Sequence, residues 1–458
     1  MVNLSEIIID YQLYKTNNDL KLLIIPNKNA TIISIGMFIT VGSLDENDNE
    51  LGIAHFLEHM MFKGSKSYPE ILTKRLDELG IIYNASTSFE STEYELHGLI
   101  EYIDELIFIL LDMFYNSEIP SHKDTVDIER EIILQEYNMR HDNNAYKINL
   151  AMLKLITNKK NKLYGRPIIG TLDSIKNIKY DDLINFRKKH YTDNNATIVI
   201  SGNIKYDIIE KIQDIYYKVT KNRVKFNLFN YSVDPFNINI SDELIFDDSS
   251  NISIKNRVVF TNGKINQYNI LLTFPCWKKF SEYNYGLNII SSILTNGMTG
   301  RITKVLRENN GLSYSQHSYI SLYNNFGTFN ISIGVNKDFL YKSLVLIIKE
   351  LIILCNDGIK KYELNKSRNM FMTNLLLDFN NQMNVFNYLT ETIVYNQEVK
   401  SINDIINEYD KFDVDYINRI IKQIFNPKQL FISIVGSNDI DYLKIKKIMK
   451  YFNKHIHN

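Results

Sequence analysis

Cysteine, tryptophan, proline and net charge are all scarce in this chain, and most of these shortages close off a class of protein. Two cysteines in 458 residues, Cys276 and Cys355, cannot build a disulfide framework, and neither stands in metal-ligand spacing. They read as small buried hydrophobes in a reducing compartment. A formal net charge of −1 gives no bulk attraction to nucleic acid or to an anionic membrane surface. No apolar run approaches the roughly 18 residues that a membrane-spanning helix needs. The opening segment, MVNLSEIIIDYQLYKT, lacks a basic stretch followed by an apolar core, and it carries Glu6 and Asp10 where a transit peptide would be free of acid. The expectation is therefore a soluble, intracellular protein, cytoplasmic by preference, with the mitochondrial matrix as the alternative for a chain already trimmed. The single Trp and seven prolines, set against abundant Asn, Ile, Lys and Tyr, are attributed to coding rich in A and T and carry no functional signal.

What is present begins with 45% hydrophobic content, ample for more than one core at this length. Histidine is sparse, at nine residues, yet two of them stand one helical turn apart in His55-Phe56-Leu57-Glu58-His59. On a helix, residues i and i+4 project from one face, so His55 and His59 can share a metal ion. Glu58, beside them, can serve as general base for a water molecule without being a ligand. The order H-x-x-E-H marks an inverted zincin. A polar surface helix with a His–Glu pair would show the same five letters.

A catalytic zinc site usually takes three protein ligands and leaves one position open. The segment from Thr125 to His141 reads as a helix, with Ile128, Ile132, Ile133 and Tyr137 spaced for a buried stripe. Glu129 and Glu136 stand on it seven residues apart, and so on one face. By themselves they read as solvated carboxylates, since the run Glu129-Arg130-Glu131 is of the kind that faces water.

The chain also repeats itself. Asp182-Leu183-Ile184-Asn185 leads to ATIVISGN at 196–203, and Asp415-Tyr416-Ile417-Asn418 leads likewise to QLFISIVGSN at 429–438, an offset of 233 residues. A strand, loop and helix read at 31–64 recur at 267–296. Duplication at half the chain length implies two like domains. Where the first copy has LGIAHFLEHMMF (51–62), the second has EYNYGLNIISSIL (282–294) without the metal residues, so one domain should carry chemistry and the other serve binding. Strands read at 20–26, 32–41, 94–100 and 196–202, with helices at 68–79, 103–115 and 125–141, predict an α+β fold of helices packed on a mostly antiparallel sheet. The boundaries read from composition are a catalytic domain at 1–217, an Asn- and Asp-rich linker at 218–255 containing Pro235 and Asp247-Asp248-Ser249-Ser250, and the degenerate copy at 256–458.

Five segments together, GIAHFLEHMMFKGS (52–65), NASTSFESTEY (84–94), IEREIILQEY (128–137), YGRPIIGTLDSI (164–175) and LRENNGLSYS (306–315), resemble the pitrilysin and mitochondrial processing peptidase family of inverted zincins, and the resemblance runs over essentially the whole chain. It implies that Glu136, 77 positions after His59, is the third zinc ligand. It implies too that Glu129 supports the site from behind, orienting a ligand or the substrate amine. Asn84 and Ala85 fall on an edge strand to which a peptide substrate would add as an extra strand. Phe62 falls where relatives line the pocket on the leaving-group side. Arg307 and Tyr314 match a pair from the noncatalytic half that would donate hydrogen bonds to a developing oxyanion. Arg301 and the loop of Gly165-Arg166-Pro167 and Gly170 are read as structural.

The resemblance further implies one Zn²⁺ per catalytic domain, two domains forming half of a clamshell chamber, and unfolded or presequence-like peptides as substrates. Chains of this length close the chamber by pairing, so a homodimer or a heterodimer with a related subunit is expected. A noncatalytic scaffold would have lost a ligand or the base, and all four residues are intact. His97, His122, His141, His190, His317, His455 and His457 are given no role.

Overall fold

The computed structural model describes residues 10–69, 72–118, 123–157, 161–205, 207–229, 253–263, 267–437 and 440–456. In the first half, strands β1 (Gln12–Lys15), β2 (Lys21–Pro26), β3 (Ile32–Ile39), β4 (Ile82–Thr87), β5 (Thr92–Leu99), β6 (Ala196–Gly202) and β7 (Asn227–Leu228) form one sheet in the order β4-β5-β3-β6-β2-β1-β7. Only β2 and β6 run parallel; every other neighbouring pair is antiparallel. The principal helices of this half are α1 (Ile53–Met61), α2 (Ile103–Asn116), α3 (Lys123–Asp142), α4 (Asn144–Ile156), α5 (Tyr180–His190) and α6 (Ile208–Thr220).

The second half repeats the plan. Strands β8 (Val258–Asn262), β9 (Gln267–Cys276), β10 (Ser313–Leu322), β11 (Gly327–Asn336) and β12 (Phe431–Gly436) are ordered β10-β11-β9-β12-β8, again with one parallel pair, β12 and β8. Its main helices are α7 (Asn284–Thr295), α8 (Leu340–Asp357), α9 (Gln382–Val394), α10 (Val414–Ile424) and α11 (Tyr442–His455). Thus β3 and α1 correspond to β9 and α7, and α5 leading into β6 corresponds to α10 leading into β12, as the internal repeat predicts. The fold is two-domain α+β, with helices packed on mostly antiparallel sheets.

The chain divides into two compact units that do not follow chain order. One comprises Met1–Asn138, Arg166–Pro235 and Leu376–Ser401; the other comprises Met139–Gly165, Phe236–Leu375 and Ile402–Asn458. The reason lies in the central strands. β2, β3 and β6 are buried almost throughout, with no alternation between a wet and a dry face. Such strands need cover on both faces. On one face, α2 and α5 contribute Leu106, Ile107, Leu110 and Leu183 to a core with Leu22, Ile35 and Ile200. On the other, Phe386, Leu389 and Ile393 of α9 close over Leu23, Phe38 and Val199. In the second unit Ile148 and Met152 of α4 do the same for Leu271, Phe431 and Val435. Each unit thereby takes one segment from the opposite half of the chain. Within the expected linker, residues 230–252, including Pro235 and the Asp247–Ser250 cluster, lie outside the described residues, as do His122 and His457.

One sequence expectation is corrected here. On α3, Val126, Glu129 and Ile133 are buried, whereas Ile128 and Ile132 are exposed at 62% and 44%. The inward stripe follows the carboxylates, because this helix faces a polar site, and the two isoleucines turn outward. Among the described residues no helix is long and apolar enough to cross a membrane.

Candidate functional site

The site is assembled on α1 and α3 within the first unit. Helix α1 begins after Gly52, which adopts the left-handed conformation with φ near 90°. Its first amides are satisfied by a side chain from the preceding loop. The buried carboxyl group of Glu46 accepts the Gly52 N–H at 2.9 Å through Oε2 and the Ala54 N–H at 3.0 Å through Oε1. Its two oxygens give acceptors to a helix N-terminus, where the first N–H groups have no partner within the helix. A Cβ on Gly52 would run into the backbone of Ile169 and Gly170, and one on Gly170, at φ 87°, into the backbone of Leu51. These two glycines let the 166–170 loop lock the start of α1, which gives the expected structural loop its physical content. Past the helix, Asp112 accepts from the Ser65 hydroxyl at 2.7 Å and the Ser67 N–H at 3.0 Å and fixes the chain on that side.

Six of the nine residues of α1, Ile53, Ala54, Phe56, Leu57, Met60 and Met61, are buried in the core. The remaining three are His55, Glu58 and His59. The imidazoles of His55 and His59 lie with ring centroids 4.7 Å apart. Nε2 of each is 3.5 Å from the same oxygen, Oε2 of Glu136 on α3. One ligand atom from each of these three residues falls within 4.8 Å of the others, the one such group of three or more among the described residues.

This donor set fits zinc. Bonds of about 2.0–2.2 Å to nitrogen and oxygen place tetrahedral ligands about 3.3–3.5 Å apart, which is the N···O separation found on both sides. The tautomer of His59 is also set for it. Its Nδ1 is 2.7 Å from Oε1 of Glu129, a carboxylate that can only accept, so Nδ1–H donates there and Nε2 turns toward Glu136. Glu129 is itself buried and forms an ion pair at 2.5 Å with Lys63, one turn beyond His59. Burial alone would raise the Glu129 carboxyl, but the bonds from His59 and Lys63 outweigh it and hold it below the usual range. Burial would likewise lower His59, yet the hydrogen bonds to Glu129 and Glu136 and the charge of Glu58 hold its ring up at about 9. Surroundings that favour a proton this strongly also favour a divalent cation.

Glu58 is nearly buried, and the Thr87 hydroxyl donates to its Oε2 at 2.6 Å. Thr87 ends β4, the edge strand that also carries Asn84 and Ala85. Asn84 is exposed, whereas Ala85 is half-buried. Phe62 closes α1 and packs between Tyr83 and Tyr94, at centroid distances of 5.6 and 5.9 Å. Arg307 and Tyr314 belong to the second unit, the former in a π-helical turn at Lys304–Glu308. The Arg307 guanidinium sits 5.2 Å from the Tyr314 ring centroid, and Tyr314 is 83% exposed. Arg301 holds a structural place, with both Glu363 carboxylate oxygens at 2.7 Å.

Three residues of the site escaped the reading of the sequence: Glu46, Lys63 and Thr87. For Lys63 the signal was present, since it stands four residues past His59 on the same face. Thr87 lies three residues from Asn84 within the same quoted segment. For Glu46 there was none, because its role depends on a loop folding back over a helix start.

Residues 21–172 match the model of the insulinase family, peptidase family M16, and residues 177–371 match that of the peptidase M16 inactive domain. The second match fits a second copy without the metal residues. The chain is 25% identical over 416 residues to an uncharacterized zinc protease of Bacillus subtilis, YmxG, covering 90% of this chain and 95% of that protein. It is 27% identical over 372 residues to an uncharacterized zinc protease of Rickettsia bellii, covering 80% and 83%. In fold it resembles a protease from Helicobacter pylori, with a TM-score of 0.78, 18% identity and coverage of 93% of this chain and 99% of that one. A peptidase M16 inactive domain structure from Pseudomonas fluorescens gives a TM-score of 0.78 at 14% identity, covering 94% and 98%. The chain belongs to the insulinase family, peptidase family M16.

Proposed function

We propose that this protein is a zinc-dependent endopeptidase that hydrolyses unfolded or presequence-like peptide segments, with one Zn²⁺ held by His55, His59 and Glu136. The observation that carries this reading is the convergence of two imidazole nitrogens on one carboxylate oxygen, with a second carboxylate, Glu58, beside them. When bound, the ion supplies positive charge that acidifies water and polarises the scissile carbonyl. Glu58 takes the proton from the attacking water and passes it to the leaving amine. Glu129 keeps His59 in the tautomer that presents Nε2, and Lys63 keeps Glu129 ionised. Edge strand β4, which carries Asn84 and Ala85, would align an extended peptide along its outer edge through main-chain hydrogen bonds. This mode reads backbone more than side chains, which suits varied and unfolded sequences. Phe62 would line the pocket on the leaving-group side.

Arg307 and Tyr314 are assigned as donors to the oxyanion, supplied by a partner chain. Pairing with a second copy, or with a related subunit, would bring that pair to the zinc site of its neighbour and close a chamber around the substrate. A cytoplasmic setting is part of the same proposal. The test is digestion of a mixed library of unstructured peptides, read by mass spectrometry, before and after chelation and after zinc is restored. Internal cleavage that disappears with chelator and returns with zinc is expected; cleavage indifferent to chelator refutes the assignment.

A further inference from the structure

We infer that Thr87 is a positioning residue for Glu58, holding the carboxylate from the same edge strand on which a peptide would align. The inference rests on the reading of Glu58 as the group that carries the proton. Along β4 exposure alternates residue by residue: Ile82, Asn84 and Ser86 face outward, while Tyr83, Ala85 and Thr87 are half-buried. That period of two turns the Thr87 side chain inward, and it ends 2.6 Å from Oε2 of Glu58. A carboxylate accepts only, so the hydroxyl donates, and a hydrogen bond to an ionised acceptor is of the stronger kind.

The backbone behind Thr87 is held firmly. Thr87 pairs with Thr92 on β5. In the turn between them the Ser88 N–H bonds the Ser91 carbonyl at 2.8 Å, and the Ser88 hydroxyl oxygen accepts from the amides of Glu90 and Ser91 at 3.1 and 2.9 Å. The preceding loop braces it from outside, with Ser43 N–H to the Ser88 carbonyl at 3.1 Å and Leu44 N–H to the Phe89 carbonyl at 2.9 Å. Gly42 allows this approach, since a Cβ there would meet the carbonyl oxygens of Ser88 and Phe89 at 2.6 Å. The hydroxyl is thus presented from a rigid frame.

The last torsion of a glutamate side chain is broad. A donor fixed on one oxygen removes that freedom and sets the plane in which the carboxylate meets the attacking water. Because the donor stands at the end of the peptide-aligning strand, alignment of substrate and orientation of the base share one element. Misplacing a catalytic group by about 1 Å costs on the order of a hundredfold in rate.

The test compares Thr87→Val, which keeps the β-branched shape and removes the donor, with Thr87→Ser, which keeps the donor, in the full-length protein on a fluorogenic unstructured peptide. Thr87→Val should lower kcat by about ten- to a hundredfold with KM, zinc content and melting temperature unchanged, and Thr87→Ser should stay within about threefold of wild type. Adding Thr87→Val to Glu58→Gln should cost nothing further, as for groups that act as a unit. If Glu58→Gln is inactive and Thr87→Val keeps its kcat, the inference fails while the reading of Glu58 stands. If both Thr87 variants lose kcat together with zinc or melting temperature, the residue is structural and the inference is overturned. An active Glu58→Gln removes the reading beneath it.

Discussion

Replacing Glu46 with Gln should reverse the order of stability between variant and wild type as pH rises. The Glu46 carboxyl is 6% exposed beneath the start of α1. Burial is the main influence on it and raises its pKa to about 8 from an ordinary value of 4.5; the Gly52 and Ala54 amides and the Arg166 charge oppose this rise, and Asp45 adds to it. A carboxyl whose folded value lies above its unfolded value binds its proton more tightly when folded. Its contribution to stability is therefore complete below about pH 4.5 and is lost as pH rises through about 8. At 1.36 kcal/mol per unit, ascending from about pH 5 to about pH 8.5 removes about 4 kcal/mol from wild type through this group alone. Glutamine cannot titrate. Its NH₂ also faces one of the two amide donors, so near pH 5 the variant should be the weaker by about 1–3 kcal/mol. Urea unfolding of both proteins across that range, with chelator present so that metal binding does not enter, gives the difference directly. The variant should begin weaker and finish stronger. A difference constant to within about 1 kcal/mol would refute the reasoning: Glu46 would then be ionised throughout, held so by the helix N-terminus.

Other consequences of the same geometry can be checked separately. Glu129→Gln removes the anionic acceptor of the His59 Nδ1–H and leaves Lys63 without its ion-pair partner, so zinc affinity, read by competition with a chromogenic chelator, should fall by about 10- to 100-fold. Gly170→Ala places a Cβ against the backbone of Leu51 at a φ of 87°, and should cost more than about 2 kcal/mol in urea unfolding.

How much of this was legible beforehand depended on whether a feature is local. His55, Glu58 and His59 were readable because a helix converts a spacing of four into one face. The repeat was readable because it preserves order along the chain, and β6 matches its expected span from Ala196 to Gly202. Glu136 is harder: nothing in a charged helix says which carboxylate faces inward, and it was the family resemblance that singled it out. The same difficulty misplaced Ile128 and Ile132. An apolar stripe is a good guide where a helix covers a core, and a poor one where the helix faces a polar site. The exchange of residues 139–165 and 376–401 between units follows from a second sheet face that needs cover, a tertiary demand with no local signature. Glu46 and Thr87 act across 6 to 8 and 29 positions of sequence, through loops whose course the sequence does not disclose.

The central claim is that Glu58 moves the proton while His55, His59 and Glu136 hold the metal. Zinc content and cleavage of unstructured peptides, measured together on wild type and on Glu58→Gln, test it most directly. Wild type should hold about one zinc per chain and cleave, and the variant should keep its zinc and lose cleavage by several orders of magnitude. A variant that retains both zinc and cleavage, or a wild-type protein that binds no zinc, would contradict the account.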